Sequence, residues 1–138
     1  MLINTPVSIG ELLDKISILI IKEKYIADTQ KQYHIKNELD FLNKTLENSI
    51  SRSQAKEYIE KLIEINSELW FIEDDIRDCE RKKQFDQKFI DLARAIYIKN
   101  DKRSEIKLEI NKKFGSELVE VKSYEKYYSA NSFNTCLH

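Results

Sequence analysis

Apolar residues recur along this chain at helical spacing, and their stripes divide it into four helices and a tail. The first helix opens at Ser8, an N-cap that makes a capping box with Glu11, with Val7 and Leu12 as hydrophobic staple and Pro6 just outside. Ile9, Leu12, Leu13, Ile16, Leu19, Ile20 and Ala27 then form one stripe, and Ile18, Ile21 and Tyr25 form a second on the opposite side. A helix apolar on two faces is central in a bundle or is half of an interface. Both are expected here, with a homodimer formed through Ile18, Ile21 and Tyr25.

Thr29 with Gln32 reads as the capping box of a second helix, whose stripe Ile35, Leu39, Leu42, Leu46 stops near Asn48 and Ser49. Ser51 with Gln54 opens a long third helix that runs to about Lys83. After a turn at Phe85 and Asp86, a fourth helix carries Phe89, Leu92, Ala93, Ile96, Ile110 and Phe114 on one face, with Gly115 as its C-terminal stop. Beyond it, Leu118, Val119 and Val121 read as a short extended segment that crosses the bundle or adds a brief strand. From Tyr124 onward helical periodicity is lost, leaving a tail rich in Ser, Asn and Tyr that is either loosely held or docks on a partner through Tyr124, Tyr127, Tyr128 and Phe133. The expected fold is all-α: an antiparallel four-helix bundle over residues 1–123, dominated by a long hairpin of the third and fourth helices, with a C-terminal tail at 124–138.

The third stripe changes character at Asn66–Glu80. Tyr58, Leu62, Ile65, Leu69, Ile72 and Ile76 define a face on which Asn66, Glu73, Arg77 and Glu80 also fall. On the fourth helix Asn100, Arg103, Lys107 and Asn111 share the face of Ala93, Ile96 and Ile110. In a hairpin turning near residue 85, facing residue numbers sum to roughly 170 at helical rise. Asn66 then lies level with Arg103, Glu73 near Ile96 and Asn100, and Lys107 about a turn from Asn66. Glu23 falls within the first helix's main stripe and Asp14 is the odd residue on its second.

Two readings of this meeting point compete. Glu73–Arg77 and Arg77–Glu80 are pairs of the kind that decorate helices, and a buried network fixes helix register while adding little stability. Alternatively, Arg103 and Lys107, with Asn66 and Asn100 as neutral donors and Arg77 nearby, hold a small anion, since guanidinium forks match carboxylate or phosphate. Glu73, shielded from water beside them, is then the candidate catalytic acid or base.

Composition narrows the field. Two Gly and one Pro leave few turns and no phosphate-cradling loop. A charged fraction of 34% with a net charge of −1 is balanced, unlike the one-signed basic field of a nucleic-acid protein. Cys79 and Cys136 lie far apart with no CxxC spacing, and the two histidines, His34 and His138, sit on a helix surface and in the tail. No metal or cofactor is called for. Glu68, Asp74, Asp75 and Asp78 spread around outer faces as a solvated acidic surface, although an acidic cluster of this kind also occurs in helical pyrophosphohydrolases that use magnesium. Trp70 borders the stripe as a packing anchor. No apolar run reaches the roughly 20 residues of a membrane span, no signal peptide is visible, and a cytoplasmic location is expected.

The order Pro6-Val7-Ser8-Ile9-Gly10-Glu11-Leu12-Leu13-Asp14-Lys15, then Asn66-x-Glu68-Leu69-Trp70-x-Ile72-Glu73-Asp74-Asp75-Ile76-Arg77, resembles a family of small uncharacterised helical proteins of bacteria. Leu92-Ala93-Arg94, Asn100-Asp101-x-Arg103 and the segment Gly115–Tyr124 fit the same pattern, so the resemblance spans residues 5 to about 125. It implies a bacterial or bacteriophage origin and a link to cell-surface sugar assembly, and no assigned activity. A weaker likeness is to helical chorismate mutases, in which Arg77, Arg103 and Lys107 would hold an anionic substrate. The first helix here carries only lysines and lacks that enzyme's characteristic arginine. The sequence thus leads to a non-catalytic binding or assembly module, with an enzyme or sensor for a small anionic metabolite as the alternative.

Overall fold

The computed structural model describes residues 1–123 and 125–127 and contains four helices: α1 (Ile9–Tyr25), α2 (Thr29–Glu47), α3 (Arg52–Arg81) and α4 (Gln87–Phe114). Each start has a local cause. Ser8 accepts from the Glu11 N–H, and Ser51 and Gln54 satisfy one another's backbone donors in a full capping box. At α2 the cap is Asp28, one residue earlier than Thr29, because its carboxylate accepts from the Lys31 N–H. Gln32 bonds instead to the carbonyls of Glu23 and Ile26, tying α2 to the end of α1. Asp86 caps α4, and Gly115 ends it in the left-handed region at φ 64°, where only glycine is unstrained. The third helix stops at Arg81, two residues short of Lys83, which turns the chain at φ 55°.

The helices run up, down, up and down. Alongside α1 lie α2, α3 and α4, so α1 is the central element expected from its two apolar faces. Leu12, Leu13 and Ile16 close the core with Leu46 of α2, Ala55, Leu62 and Ile65 of α3, and Ile110 of α4. The second face of α1 is also used within the chain. Ile21 is buried, Ile18 half-buried, and Tyr25, 42% exposed, stacks on Trp70 and meets Phe71 edge-on. Ile18 and Tyr25 are its outward members.

α3 and α4 form the long hairpin, and its register is the one read from the sequence: Arg103 meets Asn66. At a rise of about 1.5 Å per residue these helices outreach α1 by an arm of roughly 20 Å. Among the described residues there is no strand, and the segment after Gly115 runs as irregular chain back along α4. Among the described residues no helix is long and apolar enough to cross a membrane. The tail residues Tyr124, Tyr128 and Phe133, and also Cys136, lie outside the described residues; Tyr127 packs edge-on against Tyr97.

Candidate functional site: a polar seam with a closed and an open end

The polar stripe is one continuous seam between α1, α3 and α4, and its two ends differ. At the closed end Lys107, its side chain 9% exposed, places Nζ 2.7 Å from Glu11, 3.1 Å from Glu120 and 4.0 Å from Asp14. Below it the Gly10 N–H donates to Asn111 Oδ1 at 2.8 Å. A methyl group on Gly10 would stand 2.6 Å from the Lys107 carbonyl oxygen, so only glycine lets α1 approach α4 this closely.

Burial works against the Lys107 charge, yet the hydrogen-bonded Glu11 and Glu120 outweigh it and hold the ammonium above its ordinary pKa. Hydrogen bonds from Lys122 and Lys107 hold Glu120 below the usual glutamate value. The signs follow. Glu120 adds stability above its unfolded pKa, lost as pH falls through its lower folded value; Lys107 adds stability below its unfolded pKa, lost as pH rises through its higher folded value. Urea midpoints are therefore expected to fall on acidification below about pH 4, and Glu120→Gln should flatten part of that fall. An unchanged acid limb in Glu120→Gln would show that Glu120 contributes nothing there.

The middle of the seam orients the open end. Asn66, buried, donates both amide hydrogens, one to Asp14 Oδ1 and one to Ser17 Oγ, each at 2.8 Å. Ser17 passes its own hydrogen to the Asp14 carbonyl at 2.7 Å. With its donors occupied, Asn66 must turn its oxygen to Arg103, whose guanidinium reaches it at 3.5 Å, the long end of hydrogen-bond range. Arg103 is half-buried, its Nε is shut off from solvent without an acceptor, and it meets no carboxylate within 4 Å among the described residues. One turn away Lys107 has three. That contrast separates the two ends.

Arg103 opens onto a cleft of about 410 Å³. Ile18, Ile21 and Leu69 give it an apolar floor, Trp70 a wall, and Asn66, Asn100, Arg103, Arg77, Glu73 and Asp74 its polar groups. Five of the six residues singled out for ligand binding thus meet in one place. Lys107 does not line this cleft; it is turned to Glu11, Asp14 and Glu120. Glu73 is not shielded: its side chain is 40% exposed and paired with Arg77 at 2.9 Å. Glu23 is exposed and stands away from the seam.

Sequence reasoning missed the parts played by Glu11, Ser17 and Glu120. Glu11 was claimed by the capping box, Ser17 gives no signal on an apolar face, and Glu120 arrives from irregular chain whose path no periodicity predicts. Asp14, an acid flanked by Ile18 and Ile21, was the readable hint. Among the described residues no group of three or more His, Cys, Asp or Glu side chains is arranged to hold a metal ion, since the seam's carboxylates already surround an ammonium.

Residues 3–136 match the pattern of a family of unknown function, DUF6165. The chain belongs to that family. No curated protein and no solved structure matches it. The DUF6165 match starts before Pro6 and extends beyond residue 125 into the tail, so the family pattern takes in both the seam and the segment that supplies Glu120. The likeness to helical chorismate mutases gains no support: of its three cations, Arg77 is paired at the rim and Lys107 is enclosed by carboxylates.

Proposed function

We propose that the protein is a non-catalytic binding module that takes a small anionic metabolite, through a carboxylate or phosphate group, into the cleft between α1, α3 and α4. The observation that carries this reading is Arg103: a half-buried guanidinium with no counter-ion among the described residues, held in place through Asn66 by Asp14 and Ser17. A half-buried cation without a partner costs stability unless something supplies the missing charge. Asn100 adds a neutral donor, Trp70 and Ile18 supply apolar wall for the rest of the ligand, and Arg77 can swing from Glu73 to the ligand. A volume of about 410 Å³ falls in the range of roughly 300–1,000 Å³ that small-molecule sites occupy.

Binding without catalysis is favoured because Glu73 is partly exposed and ion-paired with Arg77 at the rim of the cleft, not enclosed against the space where a general acid or base would meet a substrate. The test is a thermal-shift screen of inorganic phosphate, pyrophosphate and di- and tricarboxylates on the wild type and Arg103→Met. An anion at 100 times its Kd adds about 2.7 kcal/mol, roughly 5–10 °C for a domain of this size, and Arg103→Met should abolish the shift. A shift retained in Arg103→Met would place the anion elsewhere and remove the basis of the reading.

A further inference from the structure

Above Trp70 the α3–α4 hairpin leaves the bundle. α1 ends where Tyr25 stacks on Trp70, and α2 starts at that level and runs back down alongside α1. Beyond the reach of α1 and α2 the arm's two helices pack on each other, with Tyr127 edge-on to Tyr97 near its base, yet the stripes that lower down pack against α1 continue along it. On α4 the face of Lys107, Arg103 and Asn100 runs on through Ile96, Ala93 and Phe89; on α3 the stripe continues through Ile72 and Ile76. All five apolar residues are only half-buried. A two-helix hairpin covers its own seam, and a stripe this wide calls for a further layer. At the tip Phe85 is 54% exposed, edge-on to Phe89.

Glu73, Asp78 and Glu80 are paired with basic residues of α3 and of the turn that follows it. Asp74 and Asp75 on α3 meet no cation, and Lys88 on α4 meets no carboxylate, among the described residues. The acids lie in the arm's lower half and the lysine near the tip, about eight residues of helix apart along the arm at the hairpin's register. A second arm laid antiparallel over the first, with its two-fold axis level with Asp78 and Leu92, brings each Asp74 level with the other copy's Lys88.

We propose that the arm is a homodimer interface: two copies pair their arms antiparallel into a four-helix bundle, covering Phe89, Ala93 and Ile96 and matching Asp74 and Asp75 to Lys88 across the axis. The interface is isologous, as a two-fold dimer requires, and its helices follow ordinary bundle packing. The same overlap carries the Phe85 tip of one copy to the level of Trp70 in the other, at the mouth of the anion cleft. The second copy then roofs a cleft that one chain leaves open. The pairing follows from the arm's stripe and charges and stands independently of whether an anion binds.

Sedimentation equilibrium of the full chain at tens of micromolar tests this. The wild type is expected at twice the 16.4 kDa chain mass, and Ala93→Glu and Lys88→Glu each at the monomer mass with unchanged helical circular dichroism. Lys88 is exposed, so its variant keeps the test decisive should Ala93→Glu fail to fold. An equimolar mixture of Lys88→Glu with Asp74→Lys/Asp75→Lys should give dimers again. A wild type that stays monomeric overturns the proposal and leaves the arm's stripe to the chain's own tail or to another protein. A wild-type dimer untouched by both single variants overturns it too, and moves the interface to Ile18 and Tyr25.

Discussion

Lys107→Met should destabilise the protein by about 3 kcal/mol or more, because it strips the counter-charge from Asp14, whose side chain is only 5% exposed, as well as from Glu11 and Glu120. The melting temperature should drop by roughly 10 °C. Arg103→Met, one turn along the same helix face, should change stability by less than about 1 kcal/mol or raise it, since among the described residues that guanidinium meets Asn66 and no carboxylate. Urea denaturation of the two variants side by side measures the difference. Equal losses would mean that Arg103 is structural after all; a negligible loss in Lys107→Met would mean that the closed end adds nothing to stability. The contrast has a functional sense. A residue held against the interest of stability belongs at a site, whereas one enclosed by its partners belongs to the scaffold.

Gly10→Ala is the second large effect. The new methyl would lie 2.6 Å from the Lys107 carbonyl and 2.8 Å from Asn111 Oδ1. The first of these atoms is backbone inside α4 and cannot swing away, so α1 must lift. Lifting it loosens the Gly10–Asn111 hydrogen bond and draws Glu11 from Lys107. A loss of about 2–4 kcal/mol is expected from overpacking together with a broken buried hydrogen bond. Gly115→Ala, at the αL end of α4 with open space around it, should cost about 1 kcal/mol. If Gly10→Ala proves as mild as Gly115→Ala, the close approach of α1 to α4 is wrong.

Much of the fold could be read from short-range chemistry. Ser8 and Ser51 announce helix starts because a hydroxyl two or three residues before an orphan N–H is a local requirement, and Gly115 announces a stop for the same reason. Thr29 misled by one residue because Asp28 beside it is an equally good acceptor and lies where the backbone is still extended. The site was half-readable. Asn66, Arg103, Asn100, Glu73 and Arg77 could be brought together because two long helices and one tight turn leave almost no freedom of register. Which of the two cations was free could not be read, because the carboxylates that claim Lys107 come from another helix, at Glu11 and Asp14, and from irregular chain, at Glu120. Periodicity places residues on faces of one helix; it says nothing of what a loop lays over them.

Among the described residues Arg103 is the seam's cation without a carboxylate partner. Its side-chain Nε–Hε signal, assigned by its loss in Arg103→Lys, reports this directly in a nitrogen–proton correlation spectrum. On titration with the anion that gives the largest thermal shift, beginning with inorganic phosphate and citrate, this signal should move and saturate, with the Asn66 and Asn100 amide signals following. Movement confined to Lys107 or to surface lysines, with the Arg103 signal unmoved at saturation, would contradict the account.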